Sequence, residues 1–244
     1  MAYSYAPGRG GAYGENIIEG FGGILQVDGY TGYNRLTKDG RQGAPIELAY
    51  CWAHVRRKLY DVAKKNHAPI AEEGPRRIAE LYRIEATIKG QSAEARLDAR
   101  QTRSAPRIKT FEDWLNKQQA TVSGQSPLGK ALHYITKFWQ GLILFLKDGR
   151  IELDNNAVER TIRPIALNRK NALFAGHDAG AENWGIIASL IETAKLNGIN
   201  PQAYLMETLH AIVGGHKQSQ IENLLPWNYT AEKNQRVVTA IFTK

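Results

Sequence analysis

Two short apolar segments early in the chain constrain the fold more than any other feature. Gly23–Val27 and Ile46–Cys51 each have the length and composition of a buried β-strand, and the first is followed by Asp28 and Gly29, a common turn pair. An amphipathic helix is predicted directly after the second segment, over Ala53–Asn66. Strands that alternate with helices favour an α/β fold, with the two strands in one sheet.

The next part of the chain has a different pattern. Between Pro69 and Lys147 the apolar residues recur at helical spacing with polar residues between them, which predicts a nearly all-helical block over 68–147. Its charged stretch, Glu94–Arg107, is typical of solvated helix faces rather than of a site. The whole chain is therefore expected to be an α/β protein that carries an all-α insertion.

Helix signals return after the insertion. Asp154 stands where an N-cap belongs, and the pattern predicts a helix from Asn155 to Ile162 that Arg163-Pro164 ends. The remaining helices are expected near the end of the chain, at Ala181–Leu196 and Pro201–Val213.

The composition indicates a polyanionic partner. Lys and Arg number 32 against 24 Asp and Glu, which gives a formal net charge of +8 and an isoelectric point near 9.5. A basic surplus suits nucleic acid, because cations near phosphates release condensed counterions, although a merely basic protein has the same charge. The single cysteine excludes an internal disulfide and fits the cytoplasm. No apolar run of about 18 residues predicts a membrane span, and no signal peptide is visible.

Two carboxylates are candidate site residues, and each has a structural alternative. Asp28 follows a buried strand, where open α/β sheets place ligand-binding groups, but it could be a turn aspartate. Glu159 would share a helix face with Asn155 and Asn156, but it could be a surface glutamate that caps the helix or pairs with Arg160 or Arg163. Together the two carboxylates suit Mg²⁺, for which Mn²⁺ can substitute. A shared site requires them to lie within about 12 Å of each other, because a two-metal cluster spans only about 4 Å.

Basic side chains near these carboxylates are candidates for contact with DNA phosphates. They are Arg56, Arg57, Lys58, Arg160, Arg163, Arg169 and Lys170.

Cys51 and His54 have the C-x-x-H spacing of half a zinc site. A structural zinc needs four ligands and the chain has one cysteine, so packing of Cys51 and Trp52 in the core is the favoured interpretation. In that interpretation His54 faces the site or DNA.

Taken together, several long motifs resemble the insertion-sequence-66 family of bacterial transposases, in the order in which that family has them. The motifs are Leu25-Gln26-Val27-Asp28-Gly29-Tyr30, Cys51-Trp52-Ala53-His54-Val55-Arg56-Arg57-Lys58, Asp154-Asn155-Asn156-Ala157-Val158-Glu159-Arg160, Arg169-Lys170-Asn171, Phe174-Ala175-Gly176, Ile191-Glu192-Thr193-Ala194-Lys195-Leu196-Asn197-Gly198 and Leu224-Leu225-Pro226-Trp227-Asn228. The likeness covers nearly the whole chain, from about Tyr3 to Asn228.

This resemblance implies a ribonuclease H-like core in which Asp28 is the second and Glu159 the third acid of a Mg²⁺-dependent DDE site. The family's first aspartate would precede the segment that matches Tyr3–Pro7, so the core is expected to be truncated. The domains implied are a partial core at 1–66, the helical insertion at 67–147, core completion with the Glu159 helix at 148–189, and a helical C-terminal region and tail at 190–244.

Two functions remain open on this resemblance. The first is a transposase fragment in the bacterial cytoplasm that cleaves and joins DNA, with element ends and target as substrates and a homo-oligomer or full-length transposase as partner. The second is a catalytically inactive remnant that binds DNA or associates with full-length transposase. Absence of any aspartate before Asp28 favours the second.

Overall fold

The computed structural model describes residues 1–38, 43–66, 69–168 and 175–229, and most of them are helical. The strands are β1 (Gly23–Val27) and β2 (Ile46–Tyr50). The α-helices are α1 (Gly11–Ile17), α2 (Trp52–Asn66), α3 (Pro69–Ile88), α4 (Ala93–Ala99), α5 (Ala105–Thr121), α6 (Pro127–Lys137), α7 (Trp139–Leu142), α8 (Asn156–Asn168), α9 (Asp178–Leu196) and α10 (Pro201–Val213). Short 3₁₀ helices lie at Thr31–Thr37, Leu144–Leu146, Gln218–Leu224 and Pro226–Asn228, and a π-helical turn at Arg100–Ser104.

The two strands pair in parallel, which is consistent with the α/β class. The register runs from Gly23 opposite Ile46 to Val27 opposite Tyr50. Val27 and Ile46 are buried in a small cluster against this sheet. Parallel strands need a crossover rather than a hairpin, and the 3₁₀ helix Thr31–Thr37 forms part of it. Both strands end at the same edge, so the residues that follow them lie side by side.

The segment after α2 is helical, as the apolar spacing predicts. Its described residues, 69–147, contain no strand. Buried side chains of α2, α3, α5, α6 and α7 form the largest core cluster. Trp52, at the first position of α2, is completely buried there, and its indole Nε1 donates to the carbonyl of Leu142 at 2.8 Å.

The stretch Glu94–Arg107 is not only a solvated surface, which corrects the interpretation from its charge. Arg100 is fully buried and donates two hydrogen bonds to the Glu85 carboxylate, at 2.8 and 2.7 Å. It also donates to the carbonyls of Phe145 and Asp148. Arg100 is the first residue of the π-helical turn. A pattern of charges in the sequence does not indicate which cation of such a stretch is buried.

The chain divides into two compact units, Arg9–Glu159 and Met1–Gly8 with Arg160–Lys244, and the boundary falls inside α8. The first unit contains the sheet and the helical block. In the second, Ala194, Ile199 and Tyr204 are buried together between α9 and α10, which were predicted at nearly these bounds. Tyr3 of the initial segment donates its backbone N–H to Ser189 of α9.

The prediction that Arg163-Pro164 ends the helix after Asp154 is wrong. Helix α8 runs through Pro164 to Asn168. A proline removes one N–H donor, here the one that would bond to the carbonyl of Arg160. Both Arg160 and Pro164 are exposed, so water can hydrate the freed carbonyl.

Loss of the Arg100 guanidinium is expected to destabilise the Arg9–Glu159 unit strongly. Arg100→Met leaves the Glu85 carboxylate, whose side chain is 13% exposed, without its bidentate partner. We expect a loss of about 3 kcal/mol in unfolding free energy, at the low end for broken buried pairs because Arg96 also contacts Glu85. Urea titration followed by tryptophan fluorescence measures it. The exposed Arg83→Met is the matched control, and an equally small loss in both variants would contradict the buried-pair account.

Candidate functional site

Asp28 lies in a tight turn directly after β1. One carboxylate oxygen, Oδ1, accepts the backbone N–H of Tyr30 at 2.9 Å, which is the geometry of a turn aspartate. The side chain is exposed. Gly29 has φ of +86°, and a Cβ there would lie 2.7 Å from the Tyr134 hydroxyl, so the turn requires glycine on both counts. The second carboxylate oxygen of Asp28, Oδ2, makes no hydrogen bond within the described residues.

Tyr134 of α6 covers this turn. Its hydroxyl donates a long hydrogen bond of 3.4 Å to the Asp28 carbonyl. Burial, and next the negative charge of Asp28, raise the pKa of Tyr134 to about 12, so the phenol stays protonated and able to donate. The ammonium of Lys58, on α2, lies 4.4 Å from the centre of the Tyr134 ring, a cation–π distance.

Glu159 lies in the first turn of α8 and faces His54 of α2. The imidazole Nε2 is 3.6 Å from the Glu159 Oε1, with side chains 26% and 40% exposed. His54 and Lys58 are one helical turn apart, so they project from the same face of α2. One face of α2 thus contacts both carboxylate regions. His54 contacts Glu159, and Lys58 contacts Tyr134, which in turn contacts the Asp28 turn.

The segment that leads into α8 is fixed by Asp154. Its Oδ1 accepts the backbone N–H of Asn156 at 3.0 Å, and its Oδ2 accepts the hydroxyl of Tyr82 at 2.8 Å. Burial and the bond to Asp154 raise the pKa of Tyr82 well above its usual range. The guanidinium of Arg56 lies 5.8 Å from the Tyr82 ring centre. Asp154 therefore orients the start of α8. Because the helix begins at Asn156, Asp154 lies one residue before the N-cap and is not the N-cap that the sequence pattern predicted.

Two hydrogen bonds accepted by backbone carbonyls of this segment join it to the sheet. Gln26 of β1 donates its side-chain amide to the carbonyl of Glu152 at 2.8 Å, and Trp52 donates its backbone N–H to the carbonyl of Leu153 at 3.1 Å. Because Gln26 is near the end of β1 and Trp52 follows β2, the segment crosses the edge at which both strands end. Asp28 and the start of α8 adjoin that same edge.

Two buried polar atoms, one on the His54 ring and one in the segment just before Glu159, have no partner within the described residues. They are Nδ1 of His54 and Oδ1 of Asn155. Buried polar atoms are usually hydrogen-bonded, so each of these two atoms has an unmet hydrogen-bonding need, as donor or acceptor for the imidazole nitrogen and as acceptor for the amide oxygen. An amide oxygen, with the carboxylates of Asp28 and Glu159, is the donor set that hard divalent cations prefer.

Cys51 is buried in the core, as the packing interpretation predicts. Burial raises the pKa of its thiol, against the opposing effect of the backbone N–H groups of Asn155 and His54. Within the described ranges no group of three or more His, Cys, Asp or Glu side chains is arranged to hold a metal ion. The Cys51–His54 pair therefore lacks further zinc ligands there.

The predicted DNA-contacting cations have different locations. Arg56, Arg57 and Lys58 are exposed on α2. Arg160 and Arg163 are exposed on α8 and belong to the other compact unit. Arg169 and Lys170 lie outside the described residues.

Sequence reasoning missed the two tyrosines that organise this region. Neither Tyr82 nor Tyr134 is among the candidate site residues that the sequence patterns indicate. The available signal is chemical: a tyrosine on a buried face needs a partner for its hydroxyl. That signal does not say which partner it finds, because Asp154 and Asp28 are far from these tyrosines in the chain.

Comparison with known proteins gives matches along most of the chain. Residues 1–183 match the family described as Transposase IS66 family, and residues 189–227 match the IS66 C-terminal element. No solved structure matches.

Three relatives from Sinorhizobium fredii are similar to the chain, each named only as an uncharacterized protein. Protein y4jD is 44% identical over 236 residues, which cover 96% of this chain and 46% of the relative. Protein y4qI is 40% identical over 232 residues, covering 94% and 43%. Protein y4hP is 38% identical over 250 residues, covering 98% and 45%. The chain thus spans about half the length of the curated relatives it matches.

The buried thiol of Cys51 provides a test of this region's packing. A thiolate is the reactive species, so burial and a raised pKa should make labelling by an aromatic disulfide reagent slow at mildly alkaline pH. In concentrated guanidinium the same thiol should react within seconds. Absorbance of the released thiolate measures both rates, and Cys51→Ala is the blank. Equally fast labelling of the native protein would show that the edge of the sheet is open around Cys51.

Proposed function

The chain belongs to the IS66 family of transposases, and from this we propose that it acts on DNA as part of a strand-transfer enzyme. Its substrates are the ends of an insertion sequence and the target DNA. The observation that carries the proposal is the shared face of α2: His54 touches Glu159, and Lys58 stacks on the tyrosine that contacts the Asp28 turn. We propose Asp28 and Glu159 as the catalytic carboxylates.

The architecture supports a ribonuclease H-like assignment of the sheet. In this proposal β1, β2 and α2 form the partial core of 1–66, and the helices of 67–147 are the insertion. Residues 148–189 complete the core with α8, and 190–244 form the family-specific C-terminal region. The parallel pairing of β1 and β2, with Asp28 following β1, supports it, because ligand groups of open α/β sheets follow the strands.

A divalent cation fits the donor set of this region. Asp28 and Glu159 would hold Mg²⁺ or Mn²⁺ with their carboxylates, and the unpartnered Oδ1 of Asn155 is a third oxygen of suitable kind. When bound, such an ion supplies charge stabilisation to a phosphodiester under attack. His54 holds the Glu159 side chain from the α2 side, while Tyr134 and Gly29 hold the Asp28 turn.

The proposed chemistry has two steps on DNA. Water attacks the phosphorus at the element end, a P–O bond forms, and the P–O bond to the 3′ oxygen breaks to free a 3′-hydroxyl. That hydroxyl then attacks a target phosphodiester, and the target's own 3′ oxygen leaves. Arg56, Arg57 and Lys58 would bind phosphates from α2. Arg160, Arg163, Arg169 and Lys170 are the other proposed contacts.

A second candidate is DNA binding without catalysis, in the bacterial cytoplasm, in a homo-oligomer or beside full-length transposase. Three acids are needed at the proposed site, and the described residues offer no group of three side chains fit to hold a metal. In this case the chain would bind DNA or full-length transposase without performing the reaction itself. No helix of the described chain is long and apolar enough to cross a membrane.

The isolated chain is expected to bind DNA without joining it. Binding should weaken steeply with salt, because the phosphate contacts release counterions. Joining should fail because the proposed site has two of the three acids that hold the metal ions. Without a metal's charge stabilisation the transition state loses several kcal/mol, and each loss of about 1.4 kcal/mol slows the reaction tenfold. Fluorescence anisotropy with duplex oligonucleotides measures the binding, and incubation with Mg²⁺ or Mn²⁺ and element-end DNA measures the joining.

The control for this experiment is Asp28→Ala. If the unaltered chain performs strand transfer and the Asp28→Ala variant does not, the isolated chain is active, which refutes this prediction and supports Asp28 as catalytic. Absent or salt-insensitive DNA binding would refute the proposed DNA function of this chain.

A further inference from the structure

Three aromatic rings connect the end of β2 to the Asp28 turn. Tyr50, the last residue of β2, has its ring centre 4.3 Å from that of Phe138, and Phe138 lies 4.8 Å from Tyr134. Tyr134 in turn reaches the carbonyl of Asp28. Phe138 is buried and the two tyrosines are half-buried, so this aromatic row is a fixed part of the α6 surface.

Two lysines lie over this aromatic row. The ammonium of Lys58 is 4.4 Å from the Tyr134 ring centre, and that of Lys137 is 5.2 Å from the Phe138 ring centre. Both side chains are exposed, and no carboxylate within the described ranges pairs with either. Helix α6 itself contains no acidic residue. The rings restrict two otherwise flexible cations, so less conformational freedom is lost when they bind an anion.

The row continues into an open groove of about 400 Å³ between β2 and the α6–α7 region. Lys137 lines one part of the groove and Lys147 another, and both side chains are exposed. Glu47 is the one carboxylate among the described residues that line it. Cations thus follow one another from the Asp28 turn along α6 into the groove.

We propose that this surface, defined by Lys58, Lys137 and Lys147, is a track for the DNA phosphate backbone that leaves the Asp28 site. It rests on the proposed function and extends it from the carboxylates to the helical insertion. Lysine binds phosphate as a point charge, and several unpaired lysines, the first of them on the ring that contacts the Asp28 turn, suit the repeated phosphates of a strand. The insertion therefore takes part in holding DNA in addition to separating Asp28 from Glu159 in sequence.

The test compares two double variants of the whole chain that carry the same net charge. Lys137→Ala/Lys147→Ala removes two lysines of the track, and Lys89→Ala/Lys117→Ala removes two exposed lysines elsewhere on the helical block. Anisotropy with duplex DNA is recorded between about 0.05 and 0.2 M salt. The track variant should bind roughly tenfold more weakly, with a salt slope shallower by about 2, since each phosphate contact contributes roughly 0.9.

The control variant should retain the slope and affinity of the unaltered chain. If the unaltered chain binds DNA and both variants lose affinity equally, or neither does, the track is refuted while the proposed DNA function stands. If the unaltered chain does not bind DNA, the proposed function fails and the track fails with it. Circular dichroism of each variant verifies that these surface substitutions leave the helices folded.

Discussion

Trp52 makes the two hydrogen bonds on which the arrangement of the Arg9–Glu159 unit depends. Its indole N–H donates to the carbonyl of Leu142, and its backbone N–H donates to the carbonyl of Leu153. The ring is completely buried and packs edge-on against Phe111 and Trp139. A buried indole N–H needs a partner, so its position fixes the α7 end of the helical block relative to β2. Through the backbone bond the same residue fixes the segment before α8.

The candidate site follows from that arrangement. With β2, α2 and the segment at Leu153 joined at Trp52, Asp154 and Tyr82 fix the start of α8, and Glu159 in its first turn meets His54. The supporting groups are satisfied by hydrogen bonds, whereas Nδ1 of His54 and Oδ1 of Asn155 remain buried without partners within the described chain. Unpartnered polar atoms beside a well-packed support are unusual in a protein core, and this is why we propose the ligand site in this region.

Sequence patterns predicted the elements better than their contacts. The strand at Gly23–Val27 and the helices of 69–147 were predictable because their apolar spacing is local. Pro164 was misjudged because the cost of a lost helical hydrogen bond depends on solvent exposure, which the sequence does not state. Arg100 and the tyrosine contacts depend on residues distant in the chain, so charge and periodicity could not reveal them.

Convergence of Asp28 and Glu159 on one metal is the central claim, and iron-directed backbone cleavage tests it most directly. Fe²⁺ replaces Mg²⁺, and ascorbate with peroxide then generates radicals that cut the chain only near the bound ion. The account predicts cuts both near Asp28 and near Asn155–Glu159, competed by Mg²⁺ and lost together in Asp28→Asn and in Glu159→Gln. Cuts at one segment alone, or cuts that persist in both variants, would contradict a shared site.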